Sequence, residues 1–139
     1  RGAIVFDPGV HDRFGYSKLV AICGGGHNGM PGDESCDGSE LCRTACSKRC
    51  VHAETRAIRE AAFQVGQRNG SDLAYLDMLH VKTVDGTLAA SRSPSCWQCS
   101  RDVVDSGLGG FWLYEYGVWQ RYSALAFHTI TLRANGLLP

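Results

Sequence analysis

The chain has no excess of charge of either sign: 14 Lys and Arg offset 14 Asp and Glu, for a formal net charge of +0. That excludes a chain-wide attraction to polyanions, so any nucleic acid or nucleotide contact has to come from a local patch. No uninterrupted apolar run approaches the roughly 20 residues needed to cross a bilayer, and no internal repeat is present. The N-terminus also lacks a charged region followed by an apolar one, the pattern of a secretory leader. The chain opens on Arg1 instead of Met, and the expectation is that something upstream has been removed. What remains is ordinary for a soluble domain, with 44% hydrophobic and 20% charged residues. A length of 139 residues suits one domain over 1–139 with one core.

Cysteine is not scarce. There are 7, an odd number, and several cluster just ahead of His52. The pattern suits reduced thiols and metal binding in a cytoplasmic setting better than a disulfide framework.

Along the chain, Ala3-Ile4-Val5-Phe6 is a short strand pattern ended by Asp7-Pro8-Gly9. Leu19-Val20-Ala21-Ile22-Cys23 is a second, ended by three glycines. The two predict a β-hairpin with a longer connection. Residues from Gly24 to about Arg49 have little periodicity, a length unusual for an idle loop. Ala57, Ile58, Ala61, Ala62 and Val65 recur at helical spacing and predict a helix from about His52 to Arg68, stopped by Asn69-Gly70-Ser71. Leu79 to Val84 alternates as a strand, and Asp85-Gly86 is a turn leading toward the next cysteines. Cys96 starts a helix that ends near Gly107. Gly110 to Tyr116 is the clearest strand, and a last helix runs from about Tyr122 to Ala134 with Gly136 as its stop. The order ββαβαβα implies an α/β fold, a mixed sheet flanked by helices.

Two segments carry the chemistry, Cys50-Val51-His52-Ala53-Glu54 and Pro94-Ser95-Cys96-Trp97-Gln98-Cys99. One imidazole and two thiolates fill three positions of a tetrahedral zinc and leave the fourth for water, the arrangement of a catalytic site. Cys96 and Cys99 share one helix face at their i,i+3 spacing. Two helix N-termini converging on the metal favour thiolates, and zinc lowers the pKa of a bound water to roughly 7. Glu54 is then the acid/base beside that water. Taken singly, a CxxC also suits structural zinc and redox sites, and an HxE occurs by chance in many helices.

In order and spacing, these segments make the chain resemble the cytidine deaminase superfamily, closest to its deoxycytidylate (dCMP) deaminase group. "GHNGMPGDESCD" from Gly26, "CVHAETRAI" from Cys50, "PSCWQC", "GFWLYEYG" and "LRANGL" carry the resemblance. It implies a three-layer α/β/α fold with a central mixed five-stranded sheet, here without the helix that normally precedes the first strand. It implies zinc-dependent hydrolysis of the cyclic amidine C–N bond, cytosine becoming uracil. His52, Cys96 and Cys99 hold zinc, and Glu54 carries protons from water to the ring nitrogen and then to departing ammonia. The Ala53 amide faces the pyrimidine carbonyl, and Asn28 contacts the sugar. Ser95, between Pro94 and Cys96, departs from the family's direct Pro-Cys pair and alters the loop facing the base, where Trp97 also stands. Oligomerisation into a homo-oligomer would cover the sheet face left by the missing helix.

Relatives of that group often carry a second, structural metal, for which Cys36, Cys42, Cys46 and Cys50 are candidates, with Cys23 and His27 as substitutes; buried or reduced thiols are the alternative. Arg43, Lys48, Arg49, Arg56 and Arg59 surround His52, and Arg43 and Arg49 are the candidate phosphate contacts, against a solvated charged face. Trp112, Tyr114, Tyr116 and Trp119 crowd the last strand and its turn, divided between packing and stacking on a base. His11, His80 and His128 have no partner pattern and read as surface or core residues. The expected substrate is a pyrimidine deoxynucleotide such as dCMP. Cytosine in single-stranded DNA or RNA, a purine base, and a non-catalytic zinc-stapled binding module are the rival readings.

Overall fold

The computed structural model describes residues 2–9, 21–29, 40, 50–69, 72–85, 87–91 and 94–139. These form an α/β fold with β1 (Gly2–Asp7), β2 (Ala21–His27), α1 (Ala53–Asn69), β3 (Asp77–Val84), β4 (Thr87–Ala90), α2 (Trp97–Asp105), β5 (Gly110–Glu115), β6 (Val118–Ser123) and α3 (Ala124–Ala134). The sheet is mixed, in the order β2-β1-β3-β5-β6, with β4 paired to β3 off this path. β1 is antiparallel to both β2 and β3, whereas β3 and β5 run parallel. A parallel pair needs a crossover, and α2 supplies it.

Two strands go beyond the expected order, and both are the second arms of hairpins. Asp85 adopts a positive φ of 48° and turns β3 back into β4, so this turn closes a hairpin before the cysteines are reached. Tyr116 and Gly117, at φ 51° and 86°, turn β5 into β6, where most residues are exposed. A strand with so few buried positions has little hydrophobic alternation to betray it. It also takes Tyr122 and Ser123, which moves the start of α3 to Ala124.

The three glycines after Cys23 continue β2 instead of ending it. An added Cβ at Gly24 would meet the Ala57 carbonyl oxygen at 2.4 Å, and at Gly26 the Ala53 carbonyl oxygen at 2.2 Å. Helix α1 answers with Ala53, Ala57, Ala61 and Val65, a buried stripe of mostly small side chains at four-residue spacing. Helix and strand backbones therefore pack in close contact, which fixes where α1 begins.

All three described helices pack on the sheet face that carries Ala3, Val5, Met78, Phe111 and Leu113. Phe127 of α3 stacks on Phe111 with ring centroids 3.7 Å apart, and fully burying such a ring is worth about 1.5–3 kcal/mol. Among the described residues no helix lies on the opposite face. There Asp77, fully buried, accepts hydrogen bonds from Trp112 Nε1 at 2.7 Å and from Arg121 Nε and Nη2 at 2.6 and 2.8 Å. This bidentate pair ties β3, β5 and β6 together, and the contact with Asp77 raises the Arg121 pKa. No described helix is long and apolar enough to cross a membrane.

Candidate metal centre

His52 sits one residue ahead of α1, in a short bridge where Val51 N donates to Gly29 O at 2.8 Å and Gly29 N to Val51 O at 3.2 Å. Cys96 is the N-cap of α2, its sulfur accepting from Cys99 N at 3.4 Å. The two helix starts are held in register by Thr55, whose hydroxyl donates to Asp102 Oδ2 at 2.9 Å. The result is a triangle of donors. His52 Nδ1 lies 2.9 Å from Cys99 Sγ and 3.2 Å from Cys96 Sγ, and the two sulfurs are 2.9 Å apart. One ion at about 2.0–2.3 Å from each donor reaches all three.

The donor chemistry fits a borderline-soft ion such as zinc, and among the described residues this is the only group of three or more possible metal ligands. The sulfurs are unequal. The hydrogen bond with Cys99 and the amide at the helix N-terminus outweigh burial and lower the Cys96 thiol from its ordinary value to about 6. The same contact with Cys96, then burial, raises Cys99. Both thiols have to release their protons on binding a metal, Cys96 the more readily of the two.

Glu54, in the first turn of α1, is 6% exposed. Burial pushes its carboxyl up, but the hydrogen bond and charge of His80, its backbone and the Ser95 hydroxyl outweigh that and bring it from 4.5 to about 2. His80 Nε2 and Ser95 Oγ both lie 2.7 Å from Glu54 Oε1, and 3.1 Å from each other. Two of the donors, His52 and Cys96, and this carboxylate border one cavity of about 80 Å³, which Asn28, Ala53, Val81 and Ser91 help to line. Ligand sites for drug-sized molecules span about 300–1,000 Å³, so this cavity is small.

The remaining candidates divide into three groups. Asn28 and Ala53 reach the cavity but are partners of each other, Ala53 N donating to Asn28 Oδ1 at 2.9 Å. The amide expected to face a substrate carbonyl is engaged by the side chain expected to face the sugar, because the first amides of a helix seek an acceptor. Ser95 turns its hydroxyl on Glu54, so the extra residue of Pro94-Ser95-Cys96 acts on the carboxylate. Trp97 is 37% exposed, with the Arg101 guanidinium 5.6 Å from its ring centre. Of the proposed second metal set, Cys50 is half-buried just ahead of α1, while Cys36, Cys42 and Cys46 lie outside the described residues, as do Arg43 and Arg49. Cys23 is half-buried in β2, and His27 lines a separate open groove with Arg56, Arg59 and Glu60.

His80 is the member of this cluster that the sequence pattern misses. Hydrophobic alternation in β3 points Leu79 and Val81 at the core, yet Met78 and His80 face the helices. Only the register of β1 on β3, with Val5 opposite Met78, reveals which face is inside. His128 is placed as packing, its Nδ1 2.8 Å from Ser100 Oγ between α3 and α2.

No protein-family model matches the chain, and a search of curated proteins gives no match. The mixed sheet with three helices is consistent with a cytidine deaminase-like fold.

Proposed function

We propose that this protein is a zinc-dependent deaminase that hydrolyses the exocyclic C–N bond of cytosine, converting the base to uracil and releasing ammonia, with a free deoxynucleotide such as dCMP as substrate. The observation that carries the reading is that two corners of the His52-Cys96-Cys99 triangle, His52 and Cys96, meet Glu54 on the wall of one small cavity. His52, Cys96 and Cys99 would hold zinc, which when bound supplies an acidified water at neutral pH. Glu54 is ionised at rest, so its first act is to accept a proton from the attacking water. It then gives that proton to the ring nitrogen and passes the next to the leaving amine. The cavity binds the base alone, and the sugar and phosphate stay at its mouth.

Two other readings of the same residues fare worse. A Ser-His-Glu hydrolase needs the imidazole to face the hydroxyl with one nitrogen and the carboxylate with the other. Here both contacts fall on His80 Nε2, so no proton can pass through the ring. A purely structural zinc needs neither a cavity nor a carboxylate beside it. A polymeric substrate, cytosine in single-stranded DNA or RNA, is favoured by one observation, the exposed Trp97 with Arg101 over its ring, which suits a neighbouring base and its phosphate.

Ammonia release from dCMP, cytidine and a cytosine-containing oligonucleotide, each with wild type and Glu54→Ala, tests the proposal. The expected result is turnover of dCMP by wild type and a loss of about 10²–10⁴-fold in Glu54→Ala. Turnover of the oligonucleotide alone replaces the nucleotide by the polymer, and no turnover of any of the three sinks the cytosine reading.

A further inference from the structure

We propose that His80 is a positioning residue for Glu54: with the Ser95 hydroxyl it anchors one carboxylate oxygen and so reserves the other for proton transfer. The chemical half of this rests on the deaminase reading, whereas the anchoring half rests on geometry alone. An imidazole N–H and a hydroxyl O–H donate, and a carboxyl oxygen accepts. The two 2.7 Å contacts converge on Oε1, an arrangement that aims Nε2–H of His80 and the Ser95 O–H at the same oxygen. The Ser95 lone pair then faces the ring N–H at 3.1 Å, a shared donor, and the three groups close without conflict.

Two donors saturate Oε1, and among the described residues no other side chain bonds Oε2. The anchors are themselves fixed. His80 is 8% exposed in β3, its ring edge-on to Phe111 with centroids 4.8 Å apart, so it cannot swing away. Ser95 is 6% exposed, and its carbonyl accepts from Asn135 Nδ2 at 3.3 Å. Glu54, His80 and Ser95 come from α1, β3 and the segment before α2, so the orientation of one carboxylate is set from three parts of the fold. A carboxylate free to rotate would spend most of its time with neither oxygen aimed at the reacting atoms, which lowers the rate of the chemical step more than binding.

The test compares His80→Leu and His80→Gln with wild type for kcat, KM and bound zinc. In His80→Leu, kcat falls about 10- to 100-fold, the range for removing a partner that orients a metal-site group, while KM and zinc content stay near wild type. His80→Gln restores an N–H at the same place and recovers most of the loss. A wild-type kcat in His80→Leu, or a Gln variant as impaired as the Leu one, overturns the proposal. Nitrogen-15 NMR of the zinc-loaded protein gives a readout without turnover. The Nε2–H of His80 is expected as a slowly exchanging, downfield resonance that is lost in Glu54→Ala, and its absence in wild type overturns the anchoring. If wild type deaminates none of the three substrates while that resonance is present and sensitive to Glu54→Ala, the deaminase reading fails and the anchoring stands.

Discussion

Glu54 has two oxygens with different neighbours, and its acidity follows from that difference. Burial alone would make it a weak acid, but donors on Oε1 hold it as a carboxylate down to about 2. Its folded-state pKa is depressed, so it stabilises the fold fully above the ordinary value of 4.5, and that contribution is lost as pH falls through about 2. In metal-free protein, urea midpoints should therefore decline between about pH 4.5 and 2 more steeply in wild type than in Glu54→Gln, which keeps the shape but cannot titrate. Equal slopes would show that the His80 and Ser95 contacts do not hold the charge. At this scale the sequence was informative about the candidate donors His52, Cys96 and Cys99 and about Glu54, because their types and spacing suit a metal site. It was silent about His80, because a single imidazole in a strand has no local partner and gains its meaning from a helix 26 residues away.

Helix α1 and strand β2 meet through missing side chains. Gly24 and Gly26 leave room for the backbone of α1, and the alanines of α1 leave room for β2. Gly26→Ala places a methyl against the Ala53 carbonyl, beside the first turn that carries Glu54, and is expected to destabilise by about 1–3 kcal/mol or more. Gly25→Ala, where an added Cβ meets nothing within 4 Å, is the control. Similar midpoints for the two variants in chemical denaturation would contradict the close packing. Three consecutive glycines look like a terminator in a linear reading, since glycine is entropically poor in strands. Tertiary contact reverses that judgement, because here only glycine leaves space for the helix. For the opposite reason β6 escaped notice: its residues are mainly exposed, and it is held by pairing with β5 and by Arg121 on Asp77.

Across the whole molecule, the candidate metal ligands lie at the N-terminal ends of two helices on one face of the sheet, so a bound ion would link the N-terminal and C-terminal halves. Removing it with a chelator is expected to lower the melting temperature, and re-adding zinc to restore it, because a ligand that binds only the folded form stabilises by mass action. Metal analysis should find near one zinc per chain for this site alone. Two would place a further ion in the cysteine-rich segment of Cys36, Cys42, Cys46 and Cys50. The sequence by itself determined the α/β class, the helices behind His52 and Cys96, and the donor set, since periodicity and ligand type are local properties. Tertiary structure alone decided which face of β3 is buried, that the glycine run is a strand, and that His80 and Ser95 share one oxygen of Glu54. Those depend on register and on close approach of distant segments, and a one-residue shift in β3 would have put Leu79 where His80 now meets the carboxylate.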